Sequence, residues 1–119
     1  MIIITATLAF ETETDRDHAV SLTAPVQKAT RDEEPGCLAY CFAPDPAEPT
    51  DIQVYELWTD AENLAKHFEH PNYMQMVEIL QTCGGFVSST NRLWAADDRG
   101  TVYGDDGAFR FDAVADAAG

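Results

Sequence analysis

Basic residues are scarce in this sequence. Two lysines, Lys28 and Lys66, and five arginines stand against 21 acidic residues, for a net charge of −14 over 119 residues. A surface this acidic repels polyphosphate, which argues against nucleic acid and anionic membrane as partners. Its self-repulsion is of the kind that salt screens. Long hydrophobic runs are also missing. The longest nearly apolar stretch, Met1–Phe10, falls well short of the ~20 residues that span a bilayer, and it lacks the basic start and cleavage site of a signal peptide. A cytoplasmic protein with no membrane partner is expected. Nor is there a cysteine framework. Cys37 and Cys41 sit four apart on a predicted strand, ~13 Å at ~3.3 Å per residue, beyond the ~7 Å that a disulfide allows. Cys83 stands alone, and three free thiols suit a reducing compartment. No Gly-rich phosphate loop or nucleotide motif is present, and Asp97-Asp98 and Asp105-Asp106 do not match a calcium loop. His67 and His70 have no third or fourth ligand at a recognisable spacing, so neither a metal nor a cofactor is expected.

What is present organises into one domain and an extension. Met1–Phe10 alternates, with Ile2, Ile4, Ala6, Leu8 and Phe10 on one face, and reads as a strand. Asp15 to about Arg31 places Ala19, Leu22, Val26 and Ala29 at helical spacing, with Pro25 expected to kink or split the helix. "DEEPG" turns the chain into a second strand, Cys37–Ala43, with Cys37, Ala39, Cys41 and Ala43 facing one way and Leu38, Tyr40 and Phe42 the other. A three-proline loop leads to a third strand, Ile52–Trp58, antiparallel to the second, with Ile52, Val54, Glu56 and Trp58 on one face. Thr59 and Glu62 spell a capping box for a helix burying Ala61, Leu64, Ala65 and Phe68. Pro71 is placed to begin another helix, striped by Tyr73, Met76, Val77 and Leu80 and ended by Gly84-Gly85. Phe86–Ala95 is the fourth strand. The order β-α-β-β-α-β predicts a ferredoxin-like α+β fold with an antiparallel sheet. Several strands are apolar on both faces, so a second subunit is expected to cover the face away from the helices. Residues 97–119 are an extension, with a hairpin around Asp-Gly in "TVYGDDGAFRF" and a weak helix or tail in "DAVADAAG". Val102, Phe109 and Phe111 suggest that it lies over the dimer partner or a pocket mouth.

Three stretches, "EEPGCLAY" (Glu33–Tyr40), "YELW" (Tyr55–Trp58) and "HFEHPNY" (His67–Tyr73), resemble the antibiotic biosynthesis monooxygenase (ABM) family in order and spacing. The resemblance covers roughly Met1–Ala95 and marks 1–96 as the family-like domain. It implies a homodimer of ferredoxin-like subunits, a dimeric α+β barrel, with a small-molecule pocket between sheet and helices. The family includes cofactor-free monooxygenases of quinols and anthrones, haem-degrading enzymes and an isomerase of a signalling sugar. The haem-degrading branch carries an asparagine on the first strand, a tryptophan where His67 stands and a histidine where Val77 stands. This chain has none of the three. The quinol-oxidising and isomerase branches match at His67, but they continue with Pro-His-aromatic where this chain has Pro71-Asn72-Tyr73.

On a helical wheel His67 falls about 60° from Leu64, at the border of the buried face, while His70 falls opposite it. His67 is therefore the candidate base, with a structural histidine bonded to a backbone carbonyl as the alternative. His18 is expected at the surface. Trp58 is either core or a stacking platform for a flat ligand. Arg92, in the middle of the fourth strand, would hold an anion or pair with Glu56. Tyr40, Tyr55, Tyr73 and Phe68 are candidate substrate contacts, with core packing as the other reading for Tyr40 and Tyr73. With these residues, the resemblance implies a cofactor-independent monooxygenase acting on a small quinol- or anthrone-like molecule. An acid–base isomerase or a non-catalytic dimeric ligand-binding domain would fit the same scaffold.

Overall fold

The computed structural model describes residues 1–117. Four strands, β1 (Ile2–Phe10), β2 (Cys37–Pro44), β3 (Asp51–Trp58) and β4 (Phe86–Ala95), form one antiparallel sheet in the order β2-β3-β1-β4. With α1 (Glu13–Glu33), α2 (Ala61–Glu69) and α3 (Pro71–Thr82), this is the expected ferredoxin-like α+β fold. The helices pack on one sheet face. There Leu8 and Phe10 of β1, Tyr40 and Phe42 of β2, and Ile52, Val54 and Trp58 of β3 meet Ala19, Val26, Leu64 and Met76 in the core.

Pro25 does not split the first helix, which runs unbroken over 21 residues. Pro25 and Ser21 both lie on the solvent side, so water can satisfy the carbonyl that loses its partner. The buried face also differs from the apolar pattern. Leu22 is exposed, and the stripe facing the sheet is Arg16, Ala19, Thr23, Val26, Gln27 and Thr30. Polar residues suit this position because their groups are all engaged. The hydroxyls of Thr23 and Thr30 donate to the carbonyls of Ala19 and Val26, each at 2.8 Å. β2 is a sheet edge, and α1 closes it. Gln27 Nε2 donates to the carbonyl of Phe42 while the Phe42 N–H donates to Gln27 Oε1, and Arg31 donates to the carbonyl of Tyr40.

Two smaller expectations change. Asp60, not Thr59, caps α2, its carboxylate accepting the Asn63 N–H at 2.8 Å. A bulge at Leu38 breaks the regular alternation of β2 and pairs Cys37 with Trp58 and Ala39 with Leu57. Cys37 thereby joins the helix-side face and Leu38 is left exposed. All three cysteines are free.

The opposite face carries Ile3, Thr5, Tyr55, Leu57, Cys41 and Trp94, and both Tyr55 and Trp94 are exposed. β4 is exposed along its whole length. In the extension, Tyr103 bridges Phe109 around Gly107, as the Asp-Gly hairpin predicts, and a single 3₁₀ turn follows at Phe111–Ala113. Arg110 donates to the carbonyls of Arg99 and Thr101, and Arg99 pairs with Asp116, which ties the extension to itself. The weak helix expected from 112 onward is only that turn, and its last two positions, 118 and 119, lie outside the described residues.

Candidate functional site

An open, mainly apolar cavity of about 490 Å³ lies between the helix-side face of β1, β3 and β4 and the helices α2 and α3. Ile4, Leu8, Phe42, Val54, Leu64 and Phe68 supply its apolar wall. Glu56, Tyr73 and Arg92 are its titratable residues, and Ser89 and Asn91 add polar groups from β4. The alternation of β3 explains Glu56: it is the carboxylate in the inward row Ile52, Val54, Glu56, Trp58, every member of which is buried. Trp58, two residues along and on the same face, donates its indole N–H to Glu56 Oε1 at 3.0 Å. Burial is the main reason that the Glu56 carboxyl is raised from 4.5 to about 7. The Trp58 hydrogen bond opposes that rise and the nearby Glu34 charge adds to it.

Behind the cavity wall lies a second, closed polar cluster. Glu34 follows α1 directly and precedes Pro35, which holds it in extended backbone (φ −90°, ψ 122°). Gly36, at φ +80°, then turns the chain into β2. This turn sends the Glu34 side chain inward. Its Oε1 lies 2.8 Å from Nδ1 of His67, and its Oε2 accepts from Asn72 Nδ2 at 3.2 Å. His67 is 2% exposed and is ringed by Tyr40, Trp58, Phe68 and Tyr73, with ring centres 4.7–5.5 Å away. His70 ends α2 and starts α3, its Nδ1 accepting the Asn72 N–H at 3.0 Å ahead of Pro71.

The sequence candidates are therefore distributed over three places. Phe68, Tyr73 and Arg92 border the cavity. His67, Trp58 and Tyr40 form a buried aromatic layer behind it and do not line it. The border position read from the wheel underestimates the burial of His67, because the aromatic side chains of β2, β3 and α3 close over it. Tyr55 is on the opposite sheet face, in a separate cleft with Met1, Ile3 and Asp97–Gly100, so the register excludes it from this cavity. Arg92 pairs with Thr5, which places it in the outer row of the edge strand, although it borders the cavity. Among the described residues it makes no ion pair with Glu56. His18 is exposed, as expected. Sequence reasoning missed Glu34 and Asn72 and named Glu56 only as a partner for Arg92. A carboxylate in an otherwise apolar inward row was the available signal for Glu56. Among the described residues no group of three or more His, Cys, Asp or Glu side chains is arranged to hold a metal ion. No described helix is long and apolar enough to cross a membrane.

A family model described as antibiotic biosynthesis monooxygenase matches residues 1–79. Among solved structures, a candidate antibiotic biosynthesis monooxygenase from Deinococcus radiodurans superposes with a TM-score of 0.74 at 24% identity, covering 87% of this chain and all of that one. A candidate member from Caulobacter crescentus gives 0.72 at 18% identity over 82% of this chain and 90% of that one. SnoaB, a cofactor-independent oxygenase from Streptomyces nogalater, gives 0.60 at 12% identity over 82% and 93%. At these identities the structural matches establish the fold. An uncharacterised Synechocystis protein, sll1783, is 36% identical over 45 residues, a match spanning 38% of this chain and 31% of that protein.

Proposed function

The chain belongs to the antibiotic biosynthesis monooxygenase family, and we propose that it oxygenates a small quinol- or anthrone-like aromatic molecule without a cofactor. The observation that carries this reading is the cavity itself. Its volume of about 490 Å³ suits a fused-ring aromatic, its wall is apolar, and one carboxyl and one guanidinium stand at its edge. In this reading the ring lies against Phe68, Tyr73 and Leu64, and a hydroxyl or an acidic C–H gives up its proton. The electron-rich anion then reduces O₂ directly. For an anthrone, the methylene becomes a carbonyl that keeps one oxygen atom of O₂, and the other leaves as water with the two methylene hydrogens. Arg92 is the cation available to the organic or oxygen-derived anion. Trp58 and His67 act from behind the wall, by holding Glu56 and by filling the space beneath the cavity.

The working unit in this proposal is a homodimer. Tyr55, Leu38 and Trp94 are exposed, as is all of β4, and a second copy covering the open sheet face would bury at least ~1,200 Å². Oxygen-electrode measurements with simple anthrones and naphthohydroquinones test the activity. Uptake of one O₂ per product formed, above the rate of spontaneous oxidation, is the expected result. Saturable binding of these compounds with no O₂ uptake would instead make the protein a binding domain.

A further inference from the structure

We propose that Glu56 is the residue that takes the hydroxyl proton of an aromatic ligand in the cavity, and that Trp58 is its positioning residue. This rests on the reading that the cavity binds hydroxylated aromatics. Three observations support it. Glu56 is the carboxylate among the cavity-lining residues, whereas His67 is not among them. Trp58 Nε1 occupies Oε1, so among the described residues Oε2 is left without a protein donor on a residue that faces the cavity. The Glu34 carboxylate, by contrast, is committed on both oxygens, to His67 and to Asn72, inside the closed cluster. His67 therefore has its Nδ1 engaged behind the wall while Glu56 has an oxygen available in front of it.

The step itself is a simple transfer. The ligand O–H bond breaks, a bond forms between that proton and Oε2, and the electron pair stays on the ligand oxygen as a phenolate. The apolar wall favours this role, since it raises the Glu56 carboxyl to about 7, where a general acid–base group works best near neutral pH. The titratable groups around Glu56 are Glu34, itself bonded to His67, Cys37 and Tyr40 from β2, Tyr73 from α3 and Arg92 from β4. Glu34 is the charge that opposes ionisation of Glu56, and the Trp58 indole favours it. Trp58 thus fixes one carboxylate oxygen and offsets part of the rise that burial imposes.

Calorimetric binding of 2-naphthol from pH 5.5 to 8.5 tests the assignment, since a phenol of ordinary acidity titrates above that range. Its hydroxyl should bind the ionised carboxylate better than the neutral one. Wild-type affinity should therefore rise about fivefold across the range, as expected for a charge-assisted hydrogen bond over a neutral one. Glu56→Gln should bind with a flat profile. In carbon-13 spectra of glutamate-labelled protein, one carboxyl should titrate near 7 and vanish in Glu56→Gln. Trp58→Phe should move that midpoint upward, which mere loss of packing would not do. If 2-naphthol binds and Glu56→Gln keeps the wild-type pH profile, the assignment of Glu56 is overturned while the cavity reading stands. If neither protein binds naphthol at millimolar concentration, the cavity reading falls and the assignment with it.

Discussion

Replacing Glu34 with alanine should be among the most damaging single changes in this protein, although the residue lies at the end of a helix. The Glu34 side chain is 3% exposed and that of His67 is 2% exposed, so their 2.8 Å contact has no solvent to replace it. The substitution removes the acceptor for His67 Nδ1 and for Asn72 Nδ2 together. Each orphaned buried polar group costs ~1–3 kcal/mol, so the two together cost ~2–6 kcal/mol. An exposed pair such as Lys28–Asp32 is worth under ~1 kcal/mol, which makes Lys28→Ala the natural control. Urea unfolding at pH 7, followed by tryptophan fluorescence, measures both, because Trp58 is fully buried against His67. The expected loss for Glu34→Ala is about 4 kcal/mol. A loss below about 1 kcal/mol, equal to that of Lys28→Ala, would show that the cluster is no tighter than a surface pair.

The pH dependence of stability carries an opposite signature at Glu56. Because folding raises this carboxyl from 4.5 to about 7, the native state holds the proton more tightly than the unfolded chain does. The stabilisation is fully present below pH 4.5 and is lost as pH rises through about 7, amounting to ~3 kcal/mol at about 1.4 kcal/mol per tenfold. Glu56→Gln should lack this decline in denaturant melts between pH 4.5 and 8, and a parallel decline in both proteins would assign it to other groups. Gly36→Ala should cost at least ~1–2 kcal/mol, since the residue sits at φ +80° and its Cβ would lie 2.6 Å from Asn63; thermal melts matching wild type would show that the turn relaxes. Truncation after Ala96 should weaken the proposed dimer, because Asp97–Gly100 already line a cleft with Tyr55 on the open sheet face; sedimentation equilibrium with an unchanged dimer constant would make the extension incidental.

Much of this fold was legible from local signals. The alternation of β1 and β3, the Gly84-Gly85 stop and the Pro71 start act over a few residues, so the sequence alone placed four strands and the helices between them. The family resemblance was likewise carried by short stretches that remain contiguous in the fold. What lay out of reach depended on partners far along the chain. Whether Leu22 or Thr23 faces the sheet turns on hydroxyls satisfied within α1 and on the edge of β2, which helical spacing does not reveal. His67 and Glu34 are 33 residues apart, and neither position announces that the other will neutralise its burial. Glu56 was visible as a carboxylate in an apolar row. Only the packing of Trp58 beside it, and of α2 and α3 over the sheet, decided that one of its oxygens is held and the other faces a cavity. Sequence determines the pattern of faces because backbone periodicity is local. Which polar group ends up sealed and which faces the cavity depends on desolvation, and desolvation is set by neighbours that only the folded chain brings together.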